Sequence, residues 1–141
     1  MSSKHVAQAY ALIGLETGVA AADPHRLIVM LYDGALAALA EADGHLAARR
    51  VADQGAQISK AISIIDDGLR ASVDPERGGE LARQLLDLYD YMNRRLLLAN
   101  VRNDRTVLAE VARLLADLRG AWVDIATRPP VATSLLGQAA A

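Results

Sequence analysis

Proline stands at only four places in this 141-residue chain, and those places decide where helices can begin and end. Asp23-Pro24 and Asp74-Pro75 each set an N-cap carboxylate before a proline at the first helical position, where the missing N–H costs nothing. Gly78-Gly79 follows the second pair. Arg128-Pro129-Pro130 ends whatever helix precedes it. The two proline-free stretches between these marks are each long enough for two helices. Asn103-Asp104 is a further cap signal and divides the second stretch. A softer break, around Arg50 to Gly55, divides the first.

Apolar spacing fills the segments so marked. From Pro24 to Arg49, Leu27, Ile28, Leu31, Ala35, Ala38, Leu39, Ala42 and Leu46 fall on one helical stripe. From Asp53 to Ala71 the stripe is Ile58, Ala61, Ile62, Ile65 and Leu69. From Gly79 to Val101 it is Leu81, Leu85, Leu88, Met92 and Ala99. From Thr106 to Thr127 it is Val107, Val111, Leu114, Leu118 and Ile125. No stretch alternates with period two for long enough to make a strand. Short connections between long helices make neighbours antiparallel. The chain is therefore predicted to be all-α, an antiparallel up-down four-helix bundle over 23–128. A short N-terminal amphipathic segment and its linker occupy 1–22, and a mobile tail occupies 129–141.

Composition narrows the function classes. Hydrophobic residues make up 52% of the chain, before its ten glycines are added, against roughly 45–50% for soluble domains with glycine included. The net charge is −2, with no basic stripe, which argues against nucleic-acid binding by phosphate neutralisation. There is no cysteine, so neither disulfides nor thiolate ligands arise, as suits a reducing compartment. The N-terminus lacks the apolar core of a signal peptide, and no apolar run is long enough to insert in a membrane. A cytoplasmic protein is the expectation.

Chemistry is sparse. No phosphate-binding glycine loop is present. His5, His25 and His45 are scattered, and the last two lie roughly 30 Å apart along one helix at 1.5 Å per residue. Glu41 and His45 have no matching pair on another helix of the kind that di-iron bundles use. Asp66-Asp67 and Asp87/Asp90 read as solvated helix faces. No Ser-His-Asp arrangement can be built. No cofactor, metal or enzyme activity is expected.

What is abundant is apolar surface. One stripe per helix is enough for a four-helix core, yet Ile64, Gly68, Leu86, Tyr89, Leu97, Leu108, Ala112, Leu115 and Trp122 lie off the main stripes. They either widen the core or form a groove or oligomer interface. Tyr32, Tyr89 and Tyr91 either line a groove rim or hydrogen-bond between helices. Asn100 either pairs with a partner's backbone or caps the third helix. Val6, Tyr10 and Ile13 make one face of a short amphipathic helix, and Gly14 to Ala22 reads as a tether. Such a helix either completes the fold or lies in a groove from which it can be displaced.

Three stretches are more distinctive than periodicity: Asp23-Pro-His-Arg-Leu-Ile-Val-Met-Leu-Tyr-Asp-Gly-Ala-Leu36, Gly78-Gly-Glu-Leu-Ala-Arg-Gln-Leu-Leu-Asp-Leu-Tyr-Asp-Tyr-Met-Asn-Arg-Arg-Leu96 and Leu98-Ala-Asn100. With Tyr10 ahead of them and Trp122 late in the fourth helix, residues 6–127 resemble the flagellar secretion chaperone family (FliS). The resemblance implies a cytoplasmic bundle that binds the disordered C-terminal segment of flagellin, prevents premature polymerisation and aids delivery to the flagellar type III export gate. Further partners implied are the export-gate membrane protein and a flagellin-regulating co-factor protein. The free chain would be a monomer or weak dimer, its N-terminal segment with Tyr10 covering part of the binding surface. The Gly14–Ala22 linker is a few residues longer than is usual in the family. Tyr10, Ile13, Ile64, Leu97, Asn100, Leu108, Leu115 and Trp122 are the candidate partner-binding residues. A structural homo-oligomer whose second faces pair with one another is the alternative.

Overall fold

The two Asp-Pro pairs act as their spacing predicts. Asp23 Oδ1 accepts the His25 N–H at 3.1 Å, and Asp74 Oδ1 accepts those of Glu76 and Arg77 at 2.9 and 3.2 Å. Asp104 does the same for Thr106 and Val107. Each carboxylate satisfies orphan donors of a first helical turn and sits at the positive end of the helix dipole. The structure, a computed structural model, describes residues 3–14 and 23–125. It comprises α1 (Ser3–Leu12), α2 (Pro24–Ala47), α3 (Val51–Ser63), α4 (Pro75–Arg102) and α5 (Arg105–Ile125). From α3 the chain runs straight into a π-helical turn, Ile64–Leu69, and a 3-10 turn, Arg70–Ser72. The expected tail, most of the linker and the end of the last helix lie outside the described residues.

Helix α2 packs on α3 and α5, and α4 packs on the same two, so α2 and α4 face each other across a diagonal. Cross-helix pairs give the directions. Gln54 near the start of α3 meets Asn100 near the end of α4. Asp43 late in α2 meets Arg105 at the start of α5, and Asp33 meets Arg119. The bundle is thus up-down-up-down. Its core runs through Leu27, Leu31, Ile58, Ile65, Met92, Leu96, Val111 and Leu115, all nearly inaccessible to solvent. Each such Leu or Ile contributes about 1.5–3 kcal/mol by leaving water. Two aromatic residues close the diagonal, with the Tyr32 and Tyr89 hydroxyls 2.5 Å apart. The inter-helix alternative for these tyrosines is the one realised. Tyr91 likewise donates to Glu110 Oε2 of α5 at 2.6 Å.

Two stripes differ from the sequence expectation. On α4 the buried row is Ala82, Leu85, Tyr89, Met92, Leu96 and Ala99, while Leu81 is exposed. The row keeps alternating three- and four-residue steps, and Leu81 belongs to the turn where Gly79 (φ 60°, ψ −138°) breaks helical geometry. Only glycine takes that conformation without strain. On α5 the off-stripe residues Leu108, Leu115 and Trp122 are buried, whereas Leu114, Leu118 and Ile125 are half-buried.

In the π turn two adjacent pairs, Ile64–Ile65 and Gly68–Leu69, are all buried, although Ile64 lies off the stripe expected from the sequence. The regular helix α2 buries pairs at the same spacing, Leu27–Ile28 and Leu31–Tyr32. The π turn packs against α1, α2 and α4. Such turns are rare and occur often at functional sites.

Candidate functional site

Helix α2 presents two surfaces flanking its core face, and they carry the candidate partner-binding features. On the flank toward the π turn lies α1. Its stop is local: Ile13 and Gly14 close the last turn onto the carbonyls of Tyr10 and Ala11, with Gly14 at φ +76°. Ala9 and Tyr10 are buried, and Val6, Leu12 and Ile13 pack half-buried on the same core. The face so formed, Val6, Ala9, Tyr10 and Ile13, has the i, i+3, i+4, i+7 spacing of an amphipathic helix.

Two glycines shape the seat. A Cβ on Gly34 of α2 would stand 2.7 Å from Ile13 Cγ2 and 3.4 Å from Ile64 Cδ1. A Cβ on Gly68 of the π turn would stand 2.9 Å from Leu31 Cδ2 and 3.3 Å from Leu12 Cδ1. Ile13 and Leu12 therefore occupy space that any other residue would close. A polar latch sits beside them. The Ser72 hydroxyl donates to the Gly68 carbonyl at 2.6 Å, and His5 Nε2 reaches the same Ser72 oxygen at 3.0 Å. Since that hydroxyl's proton is already committed, His5 supplies the donor. Burial lowers the His5 pKa from its ordinary value. His5 also lines a shallow crevice with Gln8, Ala11, Leu12, Asp67 and Ala71.

Among the described residues, nothing covers the other flank, toward α5. A groove of about 670 Å3 runs between Leu36, Leu39 and Ala40 of α2 and Leu108, Ala109 and Ala112 of α5. Ala40 and Ala109 are exposed and Leu36 and Ala112 half-exposed. Arg105 closes one end by a bidentate pair with Asp43, at 2.8 and 3.0 Å. That guanidinium holds the Asp43 carboxyl below the usual range. Arg119 and Asp33 pair farther along the same two helices.

The sequence-predicted residues divide between these places. Tyr10 belongs to α1, Ile13 to the turn that ends it, and Ile64 lies under them. Leu108 floors the groove. Leu115 and Trp122 are buried in α5. The Trp122 ring lies 5.8 Å from that of His25, tilted by 47°. Burial pushes the Tyr32 hydroxyl up to about 12, against the pull of hydrogen bonds from Tyr89 and Trp122. Burial, then the neighbouring Tyr32, pushes Tyr89 well above its ordinary value. Leu97 is 57% exposed and stands apart, near Val101 on the outer face of α4.

Asn100 is not the cap of its helix. Its Oδ1 accepts from Gln54 Nε2 at 3.2 Å, and Gln54 Nε2 also donates to Asn103 Oδ1 at 3.0 Å. Asn103, at φ 53°, is the helix cap, a left-handed position that asparagine tolerates. Gln54, Gly34 and Ser72 carried no expectation. Gly34 had a visible signal, because a glycine inside a helix costs about 1 kcal/mol relative to alanine and needs a reason. Among the described residues, no three His, Asp or Glu side chains converge as a metal site would require, and no helix is long and apolar enough to cross a membrane.

Comparison with known proteins fits this picture. The family model described as "Flagellar protein FliS" matches residues 6–129. The chain is 49% identical over 121 residues to the flagellar secretion chaperone FliS of Salmonella typhimurium, covering 86% of this chain and 90% of that protein. It is 43% identical over 122 residues to the Escherichia coli protein of that name, with 86% and 90% covered. It is 45% identical over 113 residues to the flagellar secretion chaperone FliSB of Pseudomonas aeruginosa, with 80% and 89% covered.

Proposed function

Because the chain belongs to the FliS family of flagellar secretion chaperones, we propose that it holds the C-terminal segment of flagellin in the cytoplasm. There it prevents early polymerisation and brings flagellin to the export gate of the flagellar type III apparatus. The observation that carries this reading is the pair of apolar flanks on α2, one open and one covered by a short helix of the chain itself. An unfolded amphipathic segment gains most by laying apolar anchors along such surfaces. Ordering it costs free energy, so affinity must come from a large contact. In this reading α1 stands in for the partner through Tyr10 and Ile13, and leaves when flagellin arrives. Ile64 floors the vacated seat and Leu108 floors the groove. Leu115 and Trp122 hold α5 in place from the core side. Leu97 and Asn100 extend the path along α4. The export-gate membrane protein and a flagellin-regulating co-factor protein would meet the loaded complex.

The test is a titration of the full chain with intact flagellin and with flagellin lacking its C-terminal segment. A one-to-one complex with the intact protein, lost on truncation, is the expected result. Equal affinity for the truncated protein refutes the reading. A stable dimer in sedimentation that flagellin does not dissociate would favour the structural homo-oligomer instead.

A further inference from the structure

We infer that Gly34 is a specificity-determining position of the covered flank: the space its missing side chain leaves admits one branched aliphatic side chain from a docked helix, and the segment that replaces α1 must supply that side chain. The inference rests on the flagellin reading and adds what the partner has to look like.

Three observations lead there. A Cβ at Gly34 would fall 2.7 Å from Ile13 Cγ2, a separation that real contacts do not reach. Ile13 is β-branched, so its χ1 is stiff and the methyl cannot swing aside without moving the backbone. With α1 lifted away, the nearest remaining neighbour of that Cβ is Ile64 Cδ1 at 3.4 Å, an ordinary contact with a flexible end. The bundle therefore has room for alanine at 34, and the docked helix does not. Gly68 differs. A Cβ there meets Leu31 of the bundle first, at 2.9 Å, and Leu12 second, so its bareness serves helix packing as much as docking.

The occupant's face can be read from α1. Ala9 is fully buried, so the backbone approaches closely there; Tyr10 beside it is buried, and Ile13 fills the Gly34 space. A displacing helix needs an apolar residue, then a small one three places on, a bulky one next to that, and a branched one three further along, matching Val6, Ala9, Tyr10 and Ile13.

The experiment uses the full chain, its Ile13→Ala and Gly34→Ala variants, and a synthetic peptide of flagellin's C-terminal segment. Ile13→Ala weakens the stand-in and leaves the space intact, so the peptide should bind at least about threefold tighter. Gly34→Ala closes the space to both. The α1 amides should lose hydrogen-exchange protection, and peptide binding should weaken by about tenfold or more. If Gly34→Ala tightens binding as Ile13→Ala does, the space serves α1 alone and the inference falls, though the flagellin reading stands. A second arm leaves the chain unaltered: the peptide's branched residues are changed to alanine one at a time. One position should cost about tenfold against the wild-type chain and almost nothing against Gly34→Ala. No such position overturns the inference. Failure of the wild-type chain to bind the peptide at all overturns the flagellin reading itself.

Discussion

Among the described residues, helix α2 has one flank covered by its own chain and one left bare, and the two are built from different materials. Toward the π turn the surface is cut by glycines and filled by Leu12 and Ile13, with a His5–Ser72 latch at its edge. Toward α5 the surface is paved with alanine and leucine and tied by exposed ion pairs. Glycine permits a close, shape-specific approach; alanine and leucine offer area with little selectivity. The covered flank is thus suited to discriminating among helices, and the open one to adding affinity once a segment has been accepted.

The sharpest way to break this contrast is to weaken each flank from beneath. Leu115→Ala removes a fully buried side chain from α5 and should cost about 2–5 kcal/mol in denaturant unfolding. Tyr10→Ala removes an equally buried side chain from α1, which on the proposed reading leaves without opening the bundle. Its cost to global stability should be about 1 kcal/mol or less, with α1 amides exchanging freely. Equal costs would make α1 part of the core and erase the distinction.

A second test uses alkali. Tyr32 and Tyr89 are held neutral in the core, Tyr32 with a value of about 12 against an ordinary 10.0. Their contribution is complete below pH 10 and is lost as pH rises above it, for Tyr32 through about 12. Ultraviolet titration should find these two hydroxyls ionising only as the helical signal collapses. Ionisation near pH 10 with the bundle intact would place them near solvent.

The smallest effect is expected below pH 6.5 but above the carboxylate range, where it belongs to the covered flank alone. His5 has a lowered value in the docked helix, so docking is favoured while the ring is neutral. That contribution is full above the ordinary value of 6.5 and fades as pH falls below it. Hydrogen exchange at α1 should quicken on the acid side while the bundle's does not, and His5→Gln should remove the difference. Parallel changes in both regions would mean that the flanks are not independent.

Much of the fold was legible because its signals are local. Asp23, Asp74 and Asp104 announce helix starts through bonds spanning two or three residues. The Leu-Tyr-Asp-Gly and Leu-Tyr-Asp-Tyr-Met segments announced the family. Choosing which of two stripes faces inward was harder. Leu108, Leu115 and Trp122 looked surplus because α5 carries two apolar rows, and only tertiary packing selects between them. Gln54, Asn100 and Asn103 form a network across 46 and 49 residues of sequence, which no short window contains. The π turn is invisible to a search for a 3.6-residue period, since that search assumes the geometry the turn abandons.

That turn has a consequence for how chains of this kind can vary in length. A π turn is what an α-helix becomes when it carries one residue more than its span needs. A chain with one residue fewer between Ile64 and Leu69 could close into regular α-helix and still reach Asp74. The helix on either side would keep its face, because the residue removed is the one the turn absorbs, and the contacts of Gly68 with Leu12 and of Ser72 with His5 would survive. One residue lost from the regular part of α3 would instead rotate everything on one side by about 100° relative to the other, leaving a bundle whose seat no longer fits its occupant.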